Sequence, residues 1–543
     1  MNATPPPAPK RKRRMTGWFD PGVMARSAIM LGTANIFGRH SDTRLIEALG
    51  NQPQTSFDYS SASGDFWFDY VADLGDGWDA TATIAGLVAQ PTLDAHADDG
   101  ALVTTRAGGL LVFGGDLVYP YPSRERYASH TEAPYAAAFD AHGGKRPDVF
   151  AIPGNHDWFD SLVAFSRSLC RPERGFAGCR TRQTRSYFAL RLPHHWWLLG
   201  VDLQLGADLD EPQVRYFQNV AREMAPDDRI ILCVPEPQWF YEQVYPKHSD
   251  YHTHTIEQLE EVVLGRRASL YLTGDLHHYR RHSSPDGRHK VIAGGGGAFL
   301  HATHAPRIEE LSDGFREQCC YPPVATSRRL AWRNALFPFI NPRSAWLTST
   351  IYALSAWLAS SRLTSTDLDS FRHALDSAMR VALREPVYGL WLMFVVAGIL
   401  FFTDTHSRVQ RVVGGGLHAF AHLFAAFALA WLSLRFTEGA LGLAFGSPLQ
   451  LAISGICVFI GAALVGPLII GLYLLLSIQL FGRHANEAFS SLRIGDYKHF
   501  LRLRIDAAGE VTVHAIAVDR VTRGPRASSD PRIVDRFTLR RNP

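Results

Sequence analysis

The chain has 543 residues, with 55 Lys+Arg against 52 Asp+Glu and a formal net charge of +3. That length exceeds one compact domain, and so small a charge gives no global field for nucleic acid. Its six cysteines (Cys170, Cys179, Cys233, Cys319, Cys320 and Cys457) contain no zinc-type CxxC pair and read as reduced thiols. Apolar residues are spread unevenly: 1–335 reads as soluble α/β, whereas 344–481 carries long uncharged stretches.

The opening MNATPPPAPKRKRR is Pro-rich and then basic, so residues 1–17 are expected to be a disordered tail able to rest on anionic lipid. No signal peptide is read there. Residues 18–335 are expected to form one enzyme-like domain, with two amphipathic helices between Trp18 and Leu49. From Phe66 a strand runs through Val71–Ala72 into Asp73-Leu74-Gly75-Asp76. Asp73 follows the strand directly and is preferred to Asp76 as a ligand. Leu110–Phe113 leads into Gly115-Asp116 and on to Tyr119, and Val149–Ile152 leads into Gly154-Asn155-His156-Asp157. An aliphatic run ending in Gly and a polar residue reads as a buried strand that delivers a side chain at its C-terminal edge. Two such strands set a carboxylate beside an amide oxygen, which suits two divalent cations sharing one bridging Asp.

Next come Arg167, Arg171, Arg174, Arg180, Arg182 and Arg185, read as an electropositive rim that draws phosphate, with Arg185 a candidate substrate contact. Tyr187–Leu192 and Trp196–Asp202 read as strands, and Asp210–Phe217 as the start of a helix. Arg229–Cys233 ends in Val234-Pro235-Glu236-Pro237, and Ser269–Thr273 in Gly274-Asp275-Leu276-His277-His278-Tyr279. The D-x-H spacing of Asp275 and His277 puts two potential ligands on one side of an extended chain. Val291–Ala293 then enters GGGGAFLHATH, whose glycines permit close approach to a ligand. His278, His301 and His304 are candidates for phosphate contact.

These segments, in this order, resemble the motifs of the calcineurin-like metallophosphoesterases from about Phe66 to His304, a little under half the chain. The resemblance implies a four-layer α/β (α+β) sandwich, two sheets flanked by helices, with a dinuclear centre at the sheet edges. It implies Asp116 as the bridging carboxylate, Asn155 as a ligand of the second cation, and Asp73 and His277 as ligands of the first. His156 would stabilise the transition state or protonate the leaving oxygen. Asp116-x-x-Tyr119 with Asp73-x-Gly75 is similar to purple acid phosphatases, where the Tyr binds a ferric ion.

Two positions depart from the family pattern: Asp275 stands where a His is usual, and Pro235-Glu236-Pro237 replaces His-x-Pro. If Glu236 and Asp275 both ligate, the centre is oxygen-rich. That favours Mn or Mg, with Fe or Zn the other candidates. The implied chemistry is metal-assisted phosphoester hydrolysis by an activated hydroxide, with general-acid help worth about 10²–10⁴-fold. The alternative is a catalytically inactive sandwich used for binding or sensing.

The rest reads as membrane. Residues 344–360, 386–402, 412–434 and 449–481 are expected to be spans, the last one long helix tilted or bent at Gly466-Pro467. His418 and His422, one turn apart, read as a packed or interhelical polar pair. The basic flank 482–504 and KRKRR put both termini on the cytoplasmic side of a bacterial inner membrane. Within 482–543, His499–Ile505 and Val511–Val518 read as a hairpin docking on the phosphoesterase domain. A membrane setting suits a lipid-linked phosphate or diphosphate, or a soluble phosphomonoester or phosphodiester. A channel or transporter ranks last, because the spans carry no acidic residue.

Overall fold

In the computed structural model, which describes residues 14–33, 56–203, 209–246, 254–403, 407–522 and 530–540, the strand Phe66–Val71 sets the plan. Its side chains alternate, as the period of an extended chain requires. Phe66, Phe68 and Tyr70 enter one core, and Val71 enters another on the opposite face.

Two units form. The α/β unit takes the stretch ending at Thr16, Arg26–Ser327 and the chain from Arg493 onward; the helical unit takes Gly17–Ala25 and Arg328–Leu492. Among the described residues the α/β unit has two sheets. One carries Trp196–Gly200, Arg229–Cys233, Leu270–Thr273 and His289–Ala293 as parallel neighbours. In the other, Phe66–Val71, Leu110–Gly114 and Asp148–Ile152 are parallel neighbours. The core between the sheets joins Phe68, Tyr70, Val112 and Phe150 to Leu198, Ile231, Leu272 and Val291. Outside the second sheet, Ile84, Leu87 and Tyr135 of the helices Trp78–Val88 and Ala133–His142 pack on Val71 and Phe113. Outside the first, Tyr216, Phe217 and Val220 of the helix Glu211–Glu223 pack on Trp197 and Leu199. The order of layers is helix, sheet, sheet, helix.

The C-terminal segment belongs to the second sheet. Lys498–Ile505 pairs antiparallel with both Phe66–Val71 and Val511–Val518, and a third strand, Arg532–Leu539, extends the sheet. Across the first pairing Arg502 faces Asp69, with both side chains buried. Nε of Arg502 lies 2.7 Å from Oδ1 of Asp69 and Nη2 lies 3.2 Å from Oδ2. The guanidinium also donates to Val88 O and Thr105 Oγ1.

The tail expectation needs correction at its end. Thr16 is buried and donates its N–H to Asp76 Oδ1 at 2.8 Å. Residues 1–13 lie outside the described residues. Of the two helices expected between Trp18 and Leu49, Pro21–Thr33 is present, and 34–55 lie outside the described residues.

In the helical unit all four apolar stretches are helical, as Ser344–Ser360, Pro386–Phe402, Gly415–Arg435 and Pro448–Phe481. Among the described residues two helices are long and apolar enough to cross a membrane, Gln410–Ala440 and Pro448–Phe481. A third counts if Phe371–Arg384 and Pro386–Phe402, bent by 99° at their junction, make one broken span. Ser344–Ser360 and Pro386–Phe402 have 17 residues each, at the short end of the range of about 17–25 for a span.

Packing in this unit is reversed from that of a water-soluble bundle. Ala419, Ala426 and Ala430 are buried, as are Ser454, Ala462 and Gly466. Phe401 and Leu480 are 73% and 68% exposed. A Cβ on Gly466 would lie 2.5 Å from Thr348 Cβ, so the helices Ser344–Ser360 and Pro448–Phe481 approach closely through that glycine. Ser349 donates to Phe459 O at 2.8 Å, and the Ser433 and Ser454 hydroxyls lie 2.7 Å apart.

Substitution of one partner in the Asp69–Arg502 pair strands a buried charge. Arg502→Met is expected to destabilise the α/β unit by about 3–5 kcal/mol. Pairing it with Asp69→Leu should recover most of that loss. Denaturant unfolding of the single and double variants checks both values.

Candidate metal centre

The parallel strands of both sheets release their C-terminal ends at one edge of the sandwich. Phe66–Val71 leads to Asp73, Leu110–Gly114 to Asp116, and Asp148–Ile152 to Asn155. From the other sheet, Arg229–Cys233 leads to Glu236 and Leu270–Thr273 to Asp275 and His277. Asp73, Asp116 and Asp275 all have left-handed backbones, at φ 58°, 49° and 66°. Non-glycine residues adopt that region at a cost, and they collect at functional sites. Neighbouring glycines leave room for the acids: a Cβ on Gly154 would lie 2.1 Å from Asp116 Oδ1, and one on Gly274 would lie 2.4 Å from Asp73 Oδ2.

Tyr119 is the hub. Its Oη lies 2.9 Å from Asp73 Oδ1, 3.0 Å from Asp116 Oδ2 and 3.0 Å from His277 Nε2. His277 Nε2 lies 3.4 Å from Asp73 Oδ1. Ligands bonded to one ion at about 2.0–2.2 Å sit about 3.0–3.4 Å from one another. The three contacts of Tyr119 Oη and the contact between Asp73 and His277 have that spacing. Nδ1 of His277 donates to Phe299 O at 2.7 Å, which leaves the Nε2 lone pair facing the cluster.

Asp116 also accepts the His156 N–H, on Oδ1 at 2.8 Å. Next to it, Asn155 Oδ1 is shielded from solvent and has no hydrogen-bond partner among the described residues. A shielded amide oxygen without a donor is an acceptor awaiting a cation or a water. Asp157 braces the turn, taking the N–H groups of Gly154 and Leu117 and the hydroxyl of Tyr127. Asp275 donates its N–H to Asp73 Oδ2 at 2.8 Å and accepts from Tyr241. Asp73, Asp116, Tyr119 and His277 form a buried floor, while Asn155, His156, Glu236 and Asp275 are partly exposed around it.

Desolvation dominates the electrostatics. It raises the carboxyl of Asp73 to about 7, that of Asp275 to about 7 and that of Glu236 to about 8. Asp116 rises well above the usual range, first through burial and then through the charges of Asp73, Asp157 and Asp275. His156 is depressed to about 4 by burial, and its Nδ1 donates to Pro120 O at 2.8 Å.

No family model matches the chain, and no curated protein does. Among solved structures, GAP50, the anchor in the inner membrane complex of Plasmodium, is 12% identical, with 48% of this chain and 81% of that one covered and a TM-score of 0.33. Purple acid phosphatase PPD1 from yellow lupin (Lupinus luteus) is 14% identical over 47% of this chain and 48% of its own, with a TM-score of 0.33. PhoD is 11% identical over 45% and 60%, with a TM-score of 0.30. Likeness at this level carries no functional weight.

The remaining expected contacts divide. His301 stacks on His277, with ring centroids 3.9 Å apart, and its Nδ1 accepts the His277 N–H. His278 is buried, with neither ring nitrogen hydrogen-bonded among the described residues. His304 Nδ1 bonds Ser327 Oγ, and the Arg185 guanidinium lies 5.4 Å from the Tyr216 ring centroid; neither contact is with the cluster. The arginine rim is largely consumed by internal partners. Arg174 pairs with Glu132, Arg180 pairs with Asp148, and Arg182 lies over Phe57 and Tyr59.

Three residues escaped the sequence reading: Tyr241, Lys498 and His499. Tyr241 holds Asp275, and Lys498 acts electrostatically on Asp73 and His277. His499 is buried against Gly295. A separate group, His195, Asp227 and Asp228, also brings three ligand atoms within 4.8 Å of one another. Asp228 already accepts from Trp197 Nε1 and Ala225 N, so this group is a surface ion pair.

Carboxyls with raised folded pKa values bind more protons folded than unfolded. Their stabilisation is complete below the unfolded values of 3.8 and 4.5 and is lost as pH rises through about 7 to 8. Metal-free protein is thus expected to lose stability from about pH 4 to about pH 8. Saturating Mn should flatten that slope. Melting curves across this range, with chelator and with Mn, test both statements.

Proposed function

We propose that this chain is a metal-dependent phosphoester hydrolase, with a dinuclear centre in the α/β unit and the helical unit embedded in a bilayer. One observation carries the reading. Tyr119 Oη meets ligand atoms of Asp73, Asp116 and His277 at 2.9–3.0 Å, while Asn155 Oδ1 is shielded and has no hydrogen-bond partner among the described residues.

Asp73, Asp116, Tyr119 and His277 would hold one cation; Asp116, Asn155, Glu236 and Asp275 would hold the other. When bound, two such cations make a water acidic and stabilise charge on the phosphoryl oxygens. Asp116 suits the shared position because its two oxygens face opposite neighbours, His156 N and Tyr119 Oη. Tyr241 and the Asp275 backbone N–H fix the orientations of Asp275 and Asp73. His156 stands at the partly exposed rim with its backbone N–H on Asp116 Oδ1, so its assigned part is to stabilise the transition state or protonate the leaving oxygen. A donor set of carboxylates, an amide, a phenol and one imidazole favours Mn or Mg, with Fe next through Tyr119.

The substrate class is a phosphomonoester, a phosphodiester or a lipid-linked phosphate. Two apolar helices with outward-facing Phe and Leu favour one presented at a membrane. A bacterial inner membrane with both termini in the cytoplasm is the arrangement we assign.

Metal content and hydrolysis of generic phosphomono- and phosphodiesters, with and without Mn, test the reading on wild type, His277→Ala and Asp116→Asn. Both variants should lose cation, and their rates should fall at least about 100-fold. Equal rates in all three proteins would remove the enzymatic reading, and cation binding without turnover would leave a binding or sensory protein. The full chain should also stay with membranes through alkaline carbonate washing and leave them only in detergent. Release by carbonate would count against a bilayer anchor.

A further inference from the structure

Trp332, Leu336 and Phe339 follow one another at intervals of four and three residues and are 63%, 52% and 75% exposed. They share one side of two consecutive short helices, Trp332–Leu336 and Phe337–Ile340. The opposite side is fastened inward. Phe337 is buried edge-on against Phe19, with ring centroids 5.0 Å apart. Asn334 is buried, donating to Ala488 O at 3.1 Å and accepting from Ser491 Oγ at 2.8 Å. Arg328 and Arg329, in the last turn of the helix Val324–Ala331, are exposed, as is Arg333. None of these three arginines forms an ion pair among the described residues.

The segment lies along the final turns of the helix Pro448–Phe481. A Cβ on Gly471 would lie 2.2 Å from Asn334 O and 2.5 Å from Phe337 Cβ, and Gln479 Nε2 donates to Arg328 O at 2.7 Å. That helix has 34 residues, about 51 Å of length, against a hydrocarbon core of about 30 Å. Even a tilt of about 40° leaves part of it in a headgroup layer. Amide side chains gather at 471–481, where those of Asn334, Asn341 and Gln479 are all hydrogen-bonded.

We propose that residues 328–340 are a lipid-surface site. Trp332, Leu336 and Phe339 seat where headgroups meet acyl chains, and Arg328, Arg329 and Arg333 hold the headgroups of anionic phospholipids. The inference rests on the proposed bilayer setting of the helical unit. Indole and phenyl rings are stable where hydrocarbon meets water, and guanidinium forks match phosphate oxygens. Each cation near an anionic leaflet adds to the attraction, so three favour acidic over zwitterionic lipid. The occupant is the bilayer itself, because Leu476, Leu480 and Phe481 are exposed at the level of Gln479, and the lipid that covers them reaches the segment held there.

Brominated phospholipids quench tryptophan on contact and so report which lipid lies against it. In vesicles carrying the full chain, subtraction of Trp332→Phe from its parent isolates one of twelve tryptophans. With equal amounts of phosphatidylglycerol and phosphatidylcholine, bromine on the first should quench that share more than bromine on the second, with a preference of at least about fivefold. The preference should vanish in Arg328→Gln/Arg329→Gln/Arg333→Gln, and in wild type at about 1 M salt, where the Debye length is about 3 Å. The salt arm decides if the triple variant does not fold. Equal quenching by the two lipids in wild type, or a preference that survives salt, would overturn the proposal. A Trp332 share untouched by either lipid while the other tryptophans are quenched would also overturn it and assign that face to a protein partner. Absence of quenching at every tryptophan would instead remove the bilayer setting.

Discussion

Like charges buried together are the constraint on which the α/β unit depends. Asp73, Asp116, Glu236 and Asp275 are drawn to one edge of the sandwich, and desolvation raises all four carboxyls. They cannot ionise together without positive charge among them, because each loses hydration and repels the others. Local structure softens the conflict. Backbone N–H groups of Asp275 and His156 point at Asp73 and Asp116, and the hydroxyls of Tyr119 and Tyr241 reach three of the acids. Three of the four acids hold left-handed backbones to reach these positions. Such strain persists where surrounding packing over-determines it, and the sandwich supplies that packing.

Those positions depend on chain segments far apart in sequence. Phe66–Val71 lies between Leu110–Gly114 on one side and Lys498–Ile505 on the other. The Asp69–Arg502 pair joins residues 433 positions apart. Contacts of such separation form late, because the loop they close must be ordered first. The strand that leads to Asp73 therefore gains its second neighbour only after the chain has passed through the helical unit.

That topology explains which parts of the centre were legible in the sequence. Asp73, Asp116, Asn155, Asp275 and His277 each follow a short apolar run and a glycine-containing turn, so each carries its own local signal. Tyr119 was visible through its spacing from Asp116. Lys498 and His499 were not, because KHFLRLRI reads only as an alternating strand, and nothing local says which edge it joins. Tyr241 sits in a short helix after Glu236, and its partner lies 34 residues away. The arginine rim is a different case: Arg174 and Arg180 pair with acids and Arg182 lies over aromatic rings. A guanidinium pairs and stacks readily within a protein, so composition alone does not show whether it is free. Apolar runs show length but not direction: the 99° bend between Phe371–Arg384 and Pro386–Phe402 falls at Glu385-Pro386, where proline disfavours helix in the residue before it.

The helical unit bears on function through what its interior has already used. Tyr352 Oη and His422 Nδ1 lie 2.7 Å apart, and His422 Nε2 lies 3.0 Å from His418 Nε2. The His418 ring stacks flat on Tyr473, whose hydroxyl reaches His484 at 3.0 Å. These imidazoles join three helices, the use expected of polar groups in an apolar bundle. Residues 412–434 and 449–481 contain no Asp or Glu, so no carboxylate ladder runs beside them as in ion pathways. Small side chains inside and aromatic ones outside make a unit whose surface matches lipid, while its few polar groups hold its own helices together.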